Sequence, residues 1–177
     1  MAMTDEEYML RAVELAKKGT GWTNPNPLVG AVIVKDGRII GEGYHKKYGE
    51  LHAEREALAS ANEDVSGATI YVTLEPCCHY GKQPPCVNAI IEAGIKRVVI
   101  GSYDPNPLVA GKGVDILREH NITVDDKLVC SEECKSLNYV FFNYIKEKKP
   151  YVILKYAQSL DGKIATHTGL SQWITGE

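Results

Sequence analysis

The stretch LEPCCHYGKQPPC, Leu74–Cys86, places three cysteines and one histidine within thirteen residues. An apolar run, ATIYVT, precedes it, and the segment CVNAIIEAG at its end is typical of a helix closed by Gly94. The sequence therefore predicts a strand-to-helix junction, with Cys77 at the strand end and Cys86 at the helix start. Because the N-terminal end of a helix stabilises a thiolate, both cysteines are suited to bind a metal ion.

The chain before this junction predicts two helices and one β-hairpin. Thr4 and Glu7 form a capping-box pattern, and an apolar helical stripe follows at Met9, Leu10, Val13 and Ala16. The runs LVGAVIVK and RIIGEGYH are apolar and β-branched, and Asp36-Gly37 between them is typical of a tight hairpin turn. The segment HAEREALASAN then has the propensity of a helix.

Helices and strands continue to alternate after the junction. RVVIGSYD and NITVDD predict strands, VDILREH predicts a short helix, and SEECKSLNYVFFNYIKEK predicts one longer helix. This order favours an α/β fold, in which helices cover one mixed sheet whose first two strands are antiparallel.

Composition and charge are those of a soluble globular protein: 177 residues, 44% of them hydrophobic and 24% charged. The net charge of −3 indicates no basic patch for nucleic acid or for a membrane surface. The sequence has no run of ~20 apolar residues and no basic, apolar start of a signal peptide. We therefore expect a cytoplasmic protein with no nucleic-acid and no membrane partner.

The chain has five cysteines, and a cytoplasmic protein lies in a reducing compartment. Disulfides are rare there, and clustered cysteines more often bind metal or take part in chemistry. Cys130 and Cys134 lie one helical turn apart. We interpret this pair as small packing side chains rather than as a second metal site.

The cysteines of the opening stretch suggest a zinc site. Catalytic zinc commonly has three protein ligands and keeps a fourth position for water. Cys77 and Cys86 would supply two of the ligands. The third must come from elsewhere in the chain, and the candidates are His45, His52 and His79.

The tripeptide His52-Ala53-Glu54, at the start of a predicted helix, favours His52. A histidine with a glutamate two residues later, followed downstream by Pro-Cys and a further Cys, is the signature of zinc-dependent deaminases. That signature has two residues between its cysteines, whereas eight separate Cys77 from Cys86 here. Cys78 in place of Cys77 is therefore an alternative, although the position directly after Pro76 favours Cys77.

The chemistry of deamination gives Glu54 a different task from that of a ligand. Zinc lowers the pKa of bound water from 15.7 to about 7, and Glu54 would take the proton and deliver it to a ring nitrogen and then to the leaving ammonia. Taken singly, Glu54 could be a first-turn carboxylate that favours the helix dipole, and His52 a histidine that contacts only solvent. Their occurrence together with the downstream cysteines favours the catalytic interpretation.

Four motifs give the chain a specific resemblance: PCCHYGKQPPC, TNPNPLVGAVIV, GEGYHKKYGELHAEREAL and DPNPLVAGKG. Together they resemble the deaminase half of the bifunctional riboflavin-biosynthesis deaminase/reductase family, over residues 8 to about 149. The resemblance implies a cytidine-deaminase-like fold, a three-layer αβα sandwich with a mixed, mainly parallel sheet. It also implies hydrolytic deamination of 2,5-diamino-6-(ribosylamino)-pyrimidinone 5′-phosphate, with release of ammonia.

The same resemblance implies roles for individual residues. His52, Cys77 and Cys86 would bind one zinc ion per chain, and Glu54 would move protons. The insertion between the cysteines would close over the substrate. The other substrate contacts implied or considered are Asn26 near the ring, His45 as a pocket residue, His79 and Lys82 in the insertion, and Asp104 and Asn106 on the ribose side.

The last residues, YVILKYAQSLDGKIATHTGLSQWITGE, follow a charged run that ends in Pro150 and resemble the beginning of the family's reductase half. We therefore expect a zinc-dependent deaminase domain at 1–149 and the start of a truncated reductase domain at 150–177. NADPH would belong only to the missing reductase domain. The alternative is a C-terminal strand and tail that dock on the first domain.

Two other functions remain open at this point. The chain could be a different zinc deaminase, acting on a free base, a nucleoside or a tRNA base. It could also be a structural zinc module that binds a partner, with His79 or Cys78 as a fourth ligand. The family resemblance favours a small, phosphorylated pyrimidine as substrate and a homo-oligomer as the assembled state.

Overall fold

The computed structural model describes residues 3–107 and 109–170. Within these residues the chain forms one five-stranded sheet with helices on both of its faces. In chain order the elements are α1 (Asp5–Lys17), β1 (Gly30–Lys35), β2 (Arg38–Tyr44), α2 (Ala53–Ser60), β3 (Thr69–Val72), α3 (Cys86–Glu92), β4 (Arg97–Ile100), α4 (Lys112–Glu119), β5 (Thr123–Asp125), α5 (Ser131–Ser136) and α6 (Tyr139–Glu147). None of the described helices is long and apolar enough to cross a membrane.

The sheet has the order β2-β1-β3-β4-β5, and it is mixed. Strand β1 is antiparallel to both of its neighbours, whereas β3, β4 and β5 pair in parallel. Four of the described strands therefore run in one direction, and only β1 opposes them. This confirms the mixed, mainly parallel sheet. It also places the carboxyl ends of β2, β3 and β4 and the amino end of β1 at one edge, which we call the active edge.

Two hydrophobic cores make this a three-layer sandwich. On one face, α1 packs with α5 over apolar side chains of β1, β3 and β4, among them Val32, Tyr71 and Val99. On the other face, α2, α3 and α4 cover Ile33, Ile70 and neighbouring residues. Because a strand directs alternate side chains to opposite faces, consecutive residues such as Val32 and Ile33 belong to different cores.

Local signals in the sequence correctly predicted several elements. Thr4 and Glu7 form a complete capping box at the start of α1: Thr4 N donates to Glu7 Oε2 at 2.7 Å and Glu7 N donates to Thr4 Oγ1 at 3.3 Å. Asp36 and Gly37 have φ values of 50° and 73°. A two-residue hairpin turn with positive φ at both positions matches the twist of the strands that it joins.

Two details of the predicted helices were wrong. Leu10 was placed on the apolar stripe of α1, but 42% of its surface is exposed, and the buried side instead carries Tyr8, Met9, Ala12, Val13, Leu15 and Ala16. The predicted single C-terminal helix is two helices, α5 and α6, separated at Leu137 and Asn138. The side chain of Asn138 is bound to the main chain of Leu28, with Leu28 N donating to Oδ1 and Nδ2 donating to Leu28 O, both at 2.7 Å.

Residues 151–170 contain neither helix nor strand, and every one of them is exposed. They include apolar side chains, of which Val152 is 82% and Leu154 is 81% exposed. Within this described part the tail does not dock as a sixth strand, contrary to the alternative above, and residues 171–177 lie outside the described residues. The domain boundary at 149/150 stays a prediction.

Helix α2 lies unusually close to strand β2, and two glycines permit this. A Cβ atom at Gly43 would overlap the backbone nitrogen of Ala57 and the backbone oxygen of Ala53, and a Cβ at Gly41 would overlap Ala57 O. Since α2 is a rigid element, a side chain at either position must displace its backbone. The position of the first turn of α2 therefore depends on these glycines.

We predict that Gly43→Ala lowers the free energy of unfolding by about 1–3 kcal/mol, the usual cost of overpacking a filled interior. Gly81→Ala is the matched control, because a Cβ there meets no described heavy atom within 4 Å. Urea unfolding of both variants checks this. Equal midpoints for the two variants would contradict the close contact between α2 and β2.

Candidate active site

Three metal-ligating side chains meet at the active edge: His52, Cys77 and Cys86. Their potential ligand atoms all lie within 4.8 Å of one another, and they are the one such group among the described residues. His52 Nδ1 is 3.5 Å from Cys77 Sγ and 3.5 Å from Cys86 Sγ. These are the three residues that the sequence predicted as zinc ligands.

The geometry of this group fits zinc. With Zn–S near 2.3 Å and Zn–N near 2.0–2.1 Å, tetrahedral angles put a nitrogen and a sulfur ligand about 3.5 Å apart. The two observed nitrogen–sulfur distances agree with that value. Cys78 does not join the group but packs against the hydrophobic core under α2 and α3. The geometry therefore supports Cys77 rather than Cys78 as the ligand after Pro76.

Each ligand occupies the end of a regular element. His52 is the N-cap residue of α2 and Cys86 is the first residue of α3. Cys77 follows β3, and its sulfur accepts a hydrogen bond from Cys86 N at 3.3 Å. The start of a helix offers free N–H groups and a partial positive charge, which favour a thiolate.

The protein atoms by themselves favour a thiolate at Cys77. A hydrogen bond from the Cys86 thiol, together with one from His52, lowers the pKa of Cys77 to about 4, although burial opposes this. Cys86 gives that hydrogen bond and is buried, so its pKa lies well above its usual value. The bond with Cys77 raises the pKa of His52. A negative sulfur between two proton-bearing partners is a site where a cation can replace protons.

Glu54 is the buried carboxyl group of this site. Its side chain is 3% exposed and points into the region of the cysteines, where it interacts with the Cys86 thiol. Burial is the main cause that raises the pKa of Glu54 to about 7, and the negative charge of Cys77 adds to it. A carboxylate that only stabilised the first turn of α2 need not be so deeply buried: Glu56, in the same turn, pairs with Lys46 and keeps 19% of its side chain exposed.

A cavity of about 340 Å³ opens over the ligand group. His52, Glu54 and Cys77 form part of its wall. All the residues for which we predicted substrate contacts also line it: Asn26, His45, His79, Lys82, Asp104 and Asn106. The topology explains this, because these residues precede β1 or follow β2, β3 or β4, and so lie at the active edge.

The insertion between the two cysteines, Cys78–Pro85, borders the cavity on one side. Gln83 Nε2 donates to Gly49 O at 3.1 Å, and the Lys82 ammonium lies 4.1 Å from the centre of the Tyr48 ring. His79 and Lys82 are exposed. The insertion is thereby joined to the loop after β2, and the charge of Lys82 lies at the rim of the cavity.

The loop after β4 forms another part of the wall. Asp104 Oδ1 accepts a hydrogen bond from Asn106 N at 2.8 Å, which closes a turn. Burial raises the pKa of Asp104. The Asp-Pro-Asn-Pro sequence therefore forms a turn, as its composition indicates, and both polar side chains face the cavity.

Sequence reasoning missed Glu75, which holds that loop in place. This carboxylate is 3% exposed and accepts hydrogen bonds from Asp104 N at 3.4 Å, Gly111 N at 3.0 Å and Gly113 N at 3.0 Å. Burial outweighs these bonds and raises its pKa. The available signal was a glutamate between a strand and Pro-Cys, because a residue at that position lies at the buried end of the sheet.

Four further residues were also missed. Asn138 fixes Leu28, two residues from Asn26, and Phe141 and Ile145 of α6 line the cavity. Arg55 Nη2 donates to Pro85 O at 3.1 Å and so joins α2 to the residue before Cys86. Nothing in the local sequence indicates these partners, because each contact joins segments far apart in the chain.

The fold and the ligand group define a class of protein, and comparison with known families agrees. The model of the cytidine and deoxycytidylate deaminase zinc-binding region matches residues 2–102, and the chain belongs to this family. A second match, to the RibD C-terminal domain, covers residues 150–177.

More particular similarities are to riboflavin-biosynthesis proteins. The chain is 62% identical over 175 residues to RibD of Actinobacillus pleuropneumoniae, which covers 99% of this chain and 46% of that protein. The structure of Acinetobacter baumannii RibD has a TM-score of 0.91 and 52% identity, covering 97% of this chain and 48% of that one. A diaminohydroxyphosphoribosylaminopyrimidine deaminase/5-amino-6-(5-phosphoribosylamino)uracil reductase from Thermotoga maritima has a TM-score of 0.90 and 58% identity, covering 97% and 50%.

These similarities confirm the resemblance stated from the four motifs, and they confirm the cytidine-deaminase-like fold. The chain spans about half the length of these three relatives.

We predict that Cys77→Ser reduces bound zinc well below the content of the unmodified protein, because a serine hydroxyl does not replace a thiolate ligand. Cys78→Ser is the matched control, since Cys78 lies outside the ligand group. Metal analysis of the two purified variants checks this. Zinc loss in Cys78→Ser, with zinc retained in Cys77→Ser, would reverse the assignment.

We predict that Glu75→Gln lowers the free energy of unfolding by about 1–3 kcal/mol, because one carboxylate oxygen becomes an NH₂ group that faces backbone N–H donors. Glu119→Gln, at an exposed position of α4, should change it by less than about 0.5 kcal/mol. Denaturant titration of both variants is the measurement. A Glu75→Gln protein as stable as the control would show that the loop is held by other contacts.

Proposed function

We propose that this chain is a zinc-dependent hydrolytic deaminase that removes an amino group from 2,5-diamino-6-(ribosylamino)-pyrimidinone 5′-phosphate in riboflavin biosynthesis. The reaction consumes one water and releases ammonia, and a carbonyl replaces the amino group on the ring. The observation that carries this proposal is the His52, Cys77 and Cys86 group with the Glu54 carboxyl buried beside it.

One zinc ion per chain would be held by His52, Cys77 and Cys86. When bound, it would supply the Lewis acidity that makes water a nucleophile near neutral pH. Glu54 lies beside these ligands without being one of them. Its carboxylate would take a proton from water and return it to a ring nitrogen and to the departing amine. A structural zinc module has no use for such a group, which disfavours that alternative.

The cavity suits a polar, phosphorylated ring. Asn26 and Asn106 offer amide donors and acceptors, which can discriminate between ring edges. Lys82, exposed at the rim, is placed to meet a phosphate as a point charge. His45, His79 and Asp104 complete the polar wall. The name of the Thermotoga maritima relative, which specifies a phosphoribosylaminopyrimidine deaminase, supports this substrate over cytidine or a tRNA base.

The second activity named for that relative, that of a 5-amino-6-(5-phosphoribosylamino)uracil reductase, is not proposed for this chain. Only residues 150–177 match the RibD C-terminal domain. We propose the division into a deaminase domain at 1–149 and the start of a reductase domain at 150–177. We also propose a homo-oligomer in the cytoplasm, for which light scattering of the purified chain is the test.

We predict that Glu54→Gln reduces ammonia release by about 10²–10⁴-fold, the usual contribution of a general acid–base residue, and leaves zinc content unchanged. Glu56→Gln, in the same helical turn but paired with Lys46 and outside the ligand group, is the control and should keep its activity. Zinc analysis and an ammonia assay with the ribotide are run on the same preparations. Full activity in Glu54→Gln would refute the proposed proton transfer.

The substrate is tested by offering the ribotide and cytidine to the unmodified chain in parallel. Turnover of the ribotide alone supports the proposed step. Turnover of cytidine alone would retain the zinc chemistry and reject the proposed substrate.

A further inference from the structure

A short chain of hydrogen bonds connects the main chain before α2 to a side chain in the cavity. His45 Nδ1 lies 3.0 Å from Leu51 O, and His45 Nε2 lies 3.2 Å from Asn26 Nδ2. His45 is 3% exposed, and its backbone N donates to Val29 O at 3.0 Å, so the ring is fixed at the end of β2.

The partners determine which nitrogen of His45 carries the proton. A backbone carbonyl can only accept, so Nδ1–H must donate to Leu51 O. In the neutral imidazole Nε2 then carries no hydrogen, and its lone pair faces Asn26 Nδ2 at 3.2 Å. The two contacts are therefore satisfied together by one tautomer of the neutral imidazole.

This tautomer also sets the direction of the Asn26 amide. If the amide were turned over, Oδ1 would face the Nε2 lone pair, and two acceptors would oppose each other. With Nδ2 at His45, the carbonyl oxygen takes the other side of the amide, and Asn26 lines the cavity. Among the described contacts, no hydrogen bond reaches Asn26 Oδ1, so that oxygen is available to a bound molecule.

We infer that His45 is a positioning residue, which fixes the Asn26 amide so that its carbonyl oxygen selects a substrate with an N–H or NH₂ donor at that point of the ring. A molecule with a carbonyl or a bare ring nitrogen there meets an acceptor and is disfavoured. The statement that Asn26 selects the substrate rests on the proposed deamination. The statement about the tautomer of His45 does not.

The tautomer is tested by nitrogen NMR of the zinc-loaded protein labelled with ¹⁵N-histidine. The His45 signals are assigned by their loss in His45→Gln. We expect a protonated Nδ1 and an unprotonated Nε2. A protonated Nε2 would overturn the inference, whatever the activity of the protein.

The effect on the substrate is tested by kinetics with the diaminopyrimidine ribotide. His45→Phe removes the acceptor for Asn26, and we expect KM to rise about five- to tenfold, as for one lost neutral hydrogen bond, with kcat changed less. His45→Gln keeps an acceptor oxygen and should recover part of that loss. Lys47→Ala, exposed and two residues away, is the control and should leave KM unchanged.

A double-mutant cycle separates positioning from a purely structural role. Asn26→Leu, which is similar in size but has no polar side-chain atom, should raise KM by a similar factor. If His45 acts through Asn26, adding His45→Phe to Asn26→Leu raises KM little further. If the increases in KM of the two single variants instead multiply in the double variant, or if His45→Phe loses zinc, His45 supports the site independently of Asn26. Either result would overturn the inference.

The two levels of failure are distinguishable. If the unmodified chain does not turn over the ribotide, the proposed function and the substrate half of the inference fail together. The NMR spectrum would still decide the state of His45.

Discussion

Strand β1 runs against the other described strands, and this reversal decides which residues can meet. If all strands were parallel, the residues that precede one strand would lie at one end of the sheet. The residues that follow its neighbours would lie at the other end. Here the amino end of β1 shares an edge with the carboxyl ends of β2, β3 and β4. Asn26, which precedes β1, therefore faces the same cavity as His45, Cys77 and Asp104, which follow the other strands. The helices that return from these strands also begin at this edge, and their first turns supply His52, Glu54 and Cys86.

Several polar side chains at and beside the cavity are held by main-chain groups. Glu75 accepts from three backbone N–H groups, His45 donates to Leu51 O, and Asn138 binds both polar backbone groups of Leu28. A main-chain partner cannot change its rotamer, so each of these contacts fixes a direction as well as a distance. A buried polar group that lacks its partner is costly, which makes such an arrangement rigid. The residues that line the cavity can then remain exposed to it without losing their orientation.

The sequence predicted those features whose cause is local. The Asp36-Gly37 turn needs two residues with positive φ, and the capping box needs Thr4 and Glu7 three positions apart; both causes can be read from neighbouring letters. The His52, Cys77 and Cys86 group was predicted because its chemistry restricts the residue types. Leu10 was misplaced because helical periodicity gives a face only to within about one residue. Glu75 and Asn138 were missed because their partners lie far along the chain, and the break between α5 and α6 follows from the same distant contact.

The pair of hydrogen bonds between Asn138 and Leu28 has a consequence for the order in which the molecule is completed. These residues are 110 positions apart. On a ribosome the chain emerges from its N-terminus, at roughly 5–20 residues per second. The hairpin and the metal ligands, all within the first 86 residues, are thus synthesised seconds before the residue that fixes the segment beside Asn26. A nascent chain can gather the His52, Cys77 and Cys86 group early, but the wall of the cavity is finished only when α6 has been made.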